Sequence, residues 1–199
     1  MSDNRIVRHK LVDRLFHWVM AASMLALLVT GLSVAIGVQF SWLTIHWIAG
    51  VILTLAVLAH TVRALFWQSL KSMWIAPSEA ASLLSPPKPG KYSLAQRAMH
   101  HAVTVFCLAA IVTGLLMLKK VDTPVIARDP YWLAAETWGW VYVIHGLAAL
   151  AFVSLVVLHV YFALRPEKLF YLRSMVFGWI TRSELEANHD SAKWRGEGS

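Results

Sequence analysis

Cysteine occurs once in the 199 residues, at Cys107, so no intramolecular disulfide can staple this chain. Charge is also scarce. Only 15% of residues are Asp, Glu, Lys or Arg, against 58% hydrophobic, and mean hydropathy is +0.57. That balance is too apolar for a soluble domain. Acid is the rarer sign, 11 Asp and Glu against 18 Lys and Arg. None of the acidic residues falls inside the long oily runs. Proton translocation and metal transport need buried carboxylates along a path, and this absence argues against both.

What is abundant is long hydrophobic runs. Four can span a bilayer: about 15–37, 43–65, 97–118 and 140–162. About 22 residues of helix rise roughly 33 Å, enough to cross the hydrocarbon core. Lipid offers no partner to a backbone N–H or C=O, so these runs are expected as helices. The fold class expected is all-α, a single integral-membrane four-helix bundle, with a linker at 67–96 and a tail at 165–199. The basic start followed by an oily run resembles a signal peptide. The run is of full spanning length and lacks a convincing cleavage site, so it is read as a retained first helix.

The net charge of +7 could suggest nucleic acid, but its placement points to topology and no nucleic-acid partner is expected. Arg5, Arg8, Lys10 and Arg14 precede helix 1, and Arg63, Lys71, Lys88, Lys91 and Arg97 flank or fill the linker. Arg165, Lys168, Arg173, Arg182, Lys193 and Arg195 follow helix 4. The opposite side has only Lys119, Lys120 and Arg128, balanced by Asp122, Asp129 and Glu136. The positive-inside rule then puts both termini in the cytoplasm, in a multi-pass protein of a bacterial inner membrane. Trp42, Trp47, Trp132, Trp138 and Trp140 form an expected aromatic belt at the outer face. In the linker, Pro77, Pro86, Pro87, Pro89 and Gly90 predict irregular chain, chiefly at 86–90. The tail is expected to lie along the membrane surface through Phe170, Met175 and Trp179, ending in loose polar residues.

Histidine is the residue out of place. IHWIAGVILTLAVLAH (45–60) and IHGLAALAFVSLVVLH (144–159) each carry a histidine near both ends. Helices 1 and 3 repeat each other too: R-L-F-H leads to T-G-L at Thr30–Leu32, and R-A-M-H leads to T-G-L at Thr113–Leu115. The bundle therefore reads as two related hairpins. Fourteen residues make nearly four helical turns, so His46 and His60 share a face about 21 Å apart, as do His145 and His159. Fourteen residues beyond His17 and His100 stand Gly31 and Gly114. Two layers result. The outer one holds His46 and His145 beside Gly31 and Gly114, and the inner one holds His17, His60, His100 and His159.

A lone histidine in a membrane usually hydrogen-bonds a neighbouring helix. Matched pairs in matched layers suit a different task. Two imidazoles on opposite sides of one iron, with glycines clearing room for a flat ring, describe a bis-histidine haem. No C-x-x-C-H string is present, so the haem expected is of the non-covalent b type. The outer layer gives His46 and His145 as ligands. In the inner layer His159 has three candidate partners on spacing alone: His17, His60 and His100. His101 points about 100° away from His100 and is read as non-ligating. His9 and His189 are expected as solvated tail residues.

RIVRHKLVDRLFHW, LTIHWIAG, PGKYSLAQ and the histidine pair of helix 4 together resemble the cytochrome b (gamma) subunit of membrane-bound formate dehydrogenase. More distantly, the chain is similar to the di-haem cytochromes b of nickel–iron hydrogenases. The resemblance runs over nearly the whole chain. It implies two b haems, the outer ligated by His46 and His145 and the inner by His17 and His159, with His60 and His100 outside the ligand pattern. It also implies a quinone site, for menaquinone or ubiquinone, at Tyr92, Ser93 and Gln96. Ser93 stands there in place of an Asn.

An electron-transfer subunit is then expected, with quinone reduction as its only chemistry. An iron–sulfur subunit docked on 38–42 and 119–139 would supply electrons from a molybdenum- or tungsten-containing catalytic subunit. Arg5, Arg8, Arg14, Arg63 and Arg97 lie at the end suited to inner-haem propionates. The alternatives are a free-standing di-haem cytochrome b exchanging electrons between quinone and a small molecule, and a quinol-oxidising subunit that feeds a periplasmic reductase.

Overall fold

The computed structural model describes residues 5–68, 70–76, 79 and 88–196. Four long helices dominate: α1 (Leu11–Ala35), α2 (Trp42–Trp67), α3 (Leu94–Met117) and α4 (Ala135–Leu164). All four are long and apolar enough to cross a membrane. Their apolar side chains point in every direction; Val29, Leu55, Val105, Leu147 and Val157 are all exposed. A helix apolar all round belongs in lipid. The chain is thus an all-α, multi-pass membrane protein. Each helix begins a few residues before the oily run, by one residue for α2 and by three to five for the others.

Local chemistry sets several of these ends. α1 stops because Gly37 takes φ +81°, the left-handed region that an L side chain resists. Val38 N–H then reaches the Ser33 carbonyl at 2.9 Å and Gly37 N–H the Val34 carbonyl at 3.1 Å, a Schellman closure. α3 starts on a reciprocal capping box. The Ser93 N–H donates to Gln96 Oε1 at 2.9 Å, and the Gln96 N–H donates to Ser93 Oγ at 3.3 Å.

The chain forms two compact units: residues 1–18, 59–101 and 157–199 in one, and 19–58 and 102–156 in the other. In the second unit, Leu53 of α2, Cys107 of α3 and Phe152 of α4 are fully buried, with Met20, Met24 and Leu27 of α1 against them. Trp138 is buried in this unit, under the Lys120 ammonium at 4.5 Å and beside Tyr142. It therefore departs from the expected belt, whereas Trp132 and Trp140 are exposed.

The first unit holds the remaining elements. β1 (Arg5–Val7) pairs antiparallel with β2 (Trp179–Thr181), and two short helices, α5 (Leu169–Phe177) and α6 (Arg182–Asn188), flank β2. Gly178 caps α5 at φ +92°, and a Cβ there would lie 3.0 Å from the His9 carbonyl. In the tail, Phe170 and Met175 lie in α5 and Trp179 lies in β2. Residues 189–194 are not loose as expected. His189 is 2% exposed, and Asp190 N–H donates to the Pro89 carbonyl at 2.8 Å. His9 is half-buried, so neither tail histidine is solvated as expected. In the linker, 88–90 lie in no helix or strand, while Pro77, Pro86 and Pro87 fall outside the described residues.

Candidate functional site

The second unit contains one histidine pair. His46, in the first turns of α2, and His145, in the third turn of α4, have ring centroids 6.2 Å apart. Beside each lies the threonine of a T-G-L string. Thr30 Oγ1 is 2.8 Å from His46 Nδ1, and Thr113 Oγ1 is 2.8 Å from His145 Nδ1. Each hydroxyl also donates to the carbonyl four residues back, Ala26 or Ala109, at 2.6 Å. The adjoining glycines face the same rings. A Cβ on Gly31 would meet His46 Cε1 at 3.5 Å, and one on Gly114 would meet His145 Cε1 at 3.4 Å. The next nearest ring atom is Nδ1 in each case, at 3.9 and 4.0 Å, so each glycine packs against the Cε1–Nδ1 edge of its histidine. The residues missed in the sequence are Thr30 and Thr113. Their signal was present, because both stand in the repeated string from which only the glycine was read.

The first unit contains the four inner-layer histidines, and they fall into two cross-helix pairs. His17 of α1 and His159 of α4 have centroids 6.2 Å apart. His60 of α2 and His100 of α3 have centroids 6.4 Å apart, with Phe16 stacked on His60 at 4.5 Å. His17 Nδ1 is buried with no hydrogen-bond partner among the described residues. His101 bonds the Met73 carbonyl through Nε2 at 3.0 Å, where the ring N–H donates.

Ring spacing tests whether iron would fit. Iron–nitrogen bonds of about 2 Å, with roughly 1.1 Å from nitrogen to ring centre, put two opposed imidazoles about 6.3 Å apart. Both expected ligand pairs meet that length.

The expected propionate partners are all occupied otherwise. Arg63 is ion-paired with Asp13, and Arg97 clasps Glu79 at 2.8 and 3.0 Å. Arg14 donates to the Val176 carbonyl, Arg5 lies over the Trp179 ring, and Arg8 is buried against His189, Tyr171 and Trp194. Glu79 stays ionised well into acid, its carboxyl held at about 2 chiefly by the Arg97 hydrogen bonds. At the expected quinone site, Ser93 Oγ and Gln96 Oε1 accept backbone N–H groups in the capping box, and Lys91 Nζ lies 5.3 Å from the Tyr92 ring centre.

The formate dehydrogenase cytochrome b556(fdo) subunits of Escherichia coli strains K12, O6:H1 and O157:H7 are each 21% identical over 205 aligned residues. The alignment covers 92% of this chain and 90% of each relative. The family described as prokaryotic cytochrome b561 matches residues 8–178, a stretch that takes in every histidine pair above. The chain belongs to that family, as a membrane electron-transfer protein related to the formate dehydrogenase cytochrome b subunits.

Proposed function

We propose that this chain is the membrane subunit of a formate dehydrogenase-like respiratory complex in the bacterial inner membrane, passing electrons from a periplasmic iron–sulfur subunit to membrane quinone. His46 and His145 would ligate one b haem, and His17 and His159 a second. The observation that carries this reading is the 6.2 Å separation of both histidine pairs. A b haem held by two imidazoles supplies one-electron transfer and leaves iron no open position for a substrate.

The chain's own residues do the rest. Gly31 and Gly114 keep methyl groups away from the ligand rings. His60 and His100 cross-link α2 and α3, with Phe16 closing one face of His60. They share the spacing of a ligand pair, and it is the sequence resemblance to the formate dehydrogenase cytochrome b subunit that favours His17 over them. Tyr92, the Ser93 hydroxyl hydrogen and the amide nitrogen of Gln96 are the donors offered to a quinone carbonyl, since the capping box uses the Ser93 and Gln96 oxygens only as acceptors. The relatives are, by name, subunits of formate dehydrogenase. That supports a partner set of one iron–sulfur subunit and one molybdenum- or tungsten-containing catalytic subunit.

Single replacements test the ligand set. In membranes holding the full complex, His46→Ala, His145→Ala, His17→Ala and His159→Ala are each expected to remove about half of the dithionite-reduced haem b absorbance. His60→Ala and His100→Ala are expected to retain it. Loss of a haem from His60→Ala, with both kept in His17→Ala, would overturn the inner pair.

A further inference from the structure

Thr30 and Thr113 are 3% and 5% exposed, and each makes the same three contacts, two to carbonyls of the preceding turn and one to a histidine. A hydroxyl has one hydrogen and two lone pairs. In both residues the hydrogen goes to the preceding turn, at 2.6 Å to Ala26 or Ala109. The contact with the histidine at 2.8 Å can then run only one way, with Nδ1–H donating and Oγ1 accepting. Nδ1 carries the proton in both His46 and His145, and Nε2 is left bare. The threonines, together with the Leu27 and Ala110 carbonyls that also accept from these rings, thus leave Nε2 as the nitrogen free to ligate.

They do a second thing. An acceptor on the far N–H pulls that proton away from the ring and makes the other nitrogen a stronger electron donor. A hydroxyl already donating elsewhere is a better acceptor. Stronger donation favours ferric over ferrous iron and so lowers a reduction potential. His17 has no such help, since its Nδ1 is buried without a partner among the described residues.

We propose that Thr30 and Thr113 are positioning residues for the outer haem: they fix the Nδ1–H tautomer of His46 and His145 and hold that haem at a lower potential than the inner one. The inference rests on the reading of function above. Its consequence is directional, because an electron arriving at the outer site then finds the inner site more favourable. The internal repeat provides the device twice, once in each hairpin.

Thr→Val keeps the shape of the side chain and removes the acceptor. Redox titration of membranes containing the full complex, followed at the haem b absorbance, reads the result. In the unaltered protein two components are expected. The lower one is assigned to the outer haem by its survival in His17→Ala and its loss in His46→Ala. Thr30→Val and Thr113→Val should each move that component to higher potential, the double variant should move it further, and the other component should stay in place. Thr30→Ser and Thr113→Ser, which keep the acceptor, should titrate like the unaltered protein. An unmoved lower component in the Val variants, or an equal shift in the Ser variants, overturns the inference. If a Val variant loses the haem outright, its Ser counterpart decides: haem kept at the original potential supports the role, and loss or a shift refutes it. A protein with no haem at all sinks the functional reading itself, whereas two haems whose potentials ignore the threonines sink only this step.

Discussion

His189 shows how one side chain ties three distant stretches of sequence together. Its Nδ1–H donates to the Gly90 carbonyl at 2.7 Å, so its Nε2 lone pair faces the Arg8 guanidinium at 3.0 Å. Arg8 also reaches the Lys91 carbonyl at 2.8 Å. Protonating Nε2 would set an N–H against a buried cation. Burial first, and then the nearby Arg8 and Lys168 charges, hold this imidazole's pKa below its ordinary value; the Gly90 bond opposes them. His9 is pushed the same way, to about 3, by burial and by Arg8 and Lys91, with Asp13 opposing. The sign follows. Between the folded value and about 6.5 the unfolded chain binds more protons, so stability rises with pH. That contribution is complete above about 6.5 and fades as pH falls toward about 3. The thermal midpoint of the detergent-solubilised protein should drop by roughly 3 °C or more from pH ~7.5 to ~5.5, and His189→Gln should flatten that slope. None of this was legible in the sequence. A contact between positions 8 and 189 has no local pattern, and polar residues near a terminus look solvated until a partner stretch is found.

At the scale of elements, legibility followed periodicity and length. Four runs of twenty-odd apolar residues admit one structure in lipid, and all four appear as helices. Their ends depend on caps. Gly37 and the Ser93–Gln96 pair are readable signals, but the latter pair was first read as quinone ligands. The two uses can be separated. Ser93→Ala removes a cap and should cost about 1 kcal/mol in thermal or denaturant stability. Gln96→Glu keeps the accepting oxygen, loses the amide donor and adds a negative charge that the helix N-terminus favours. It should hold or slightly raise stability while raising the apparent KM for quinone about tenfold, the equivalent of one hydrogen bond of about 1.4 kcal/mol. An unchanged KM would leave Gln96 as a cap alone. The ribbon of β1 and β2 had no such signal, because two three-residue strands from opposite ends of the chain carry no periodic pattern.

For the whole molecule, four spans would put both termini on one side, and the orientation proposed from the charge distribution makes that side cytoplasmic. A green fluorescent fusion after the tail should be bright and an alkaline phosphatase fusion there inactive. A phosphatase inserted within 121–134 should be active. The reverse result would invert the electron path argued above. The histidine layers were legible because fourteen-residue spacing on a helix is arithmetic. The choice among four inner histidines was not, because spacing says nothing about which helices face each other. The model pairs His17 with His159 and His60 with His100. The central claim is that this one chain carries two bis-histidine b haems. Extracted haem measured against protein, on the purified complex, tests it most directly. Two b haems per copy of this chain, with low-spin spectra, is the predicted result; one haem, none, or a high-spin spectrum would contradict the account.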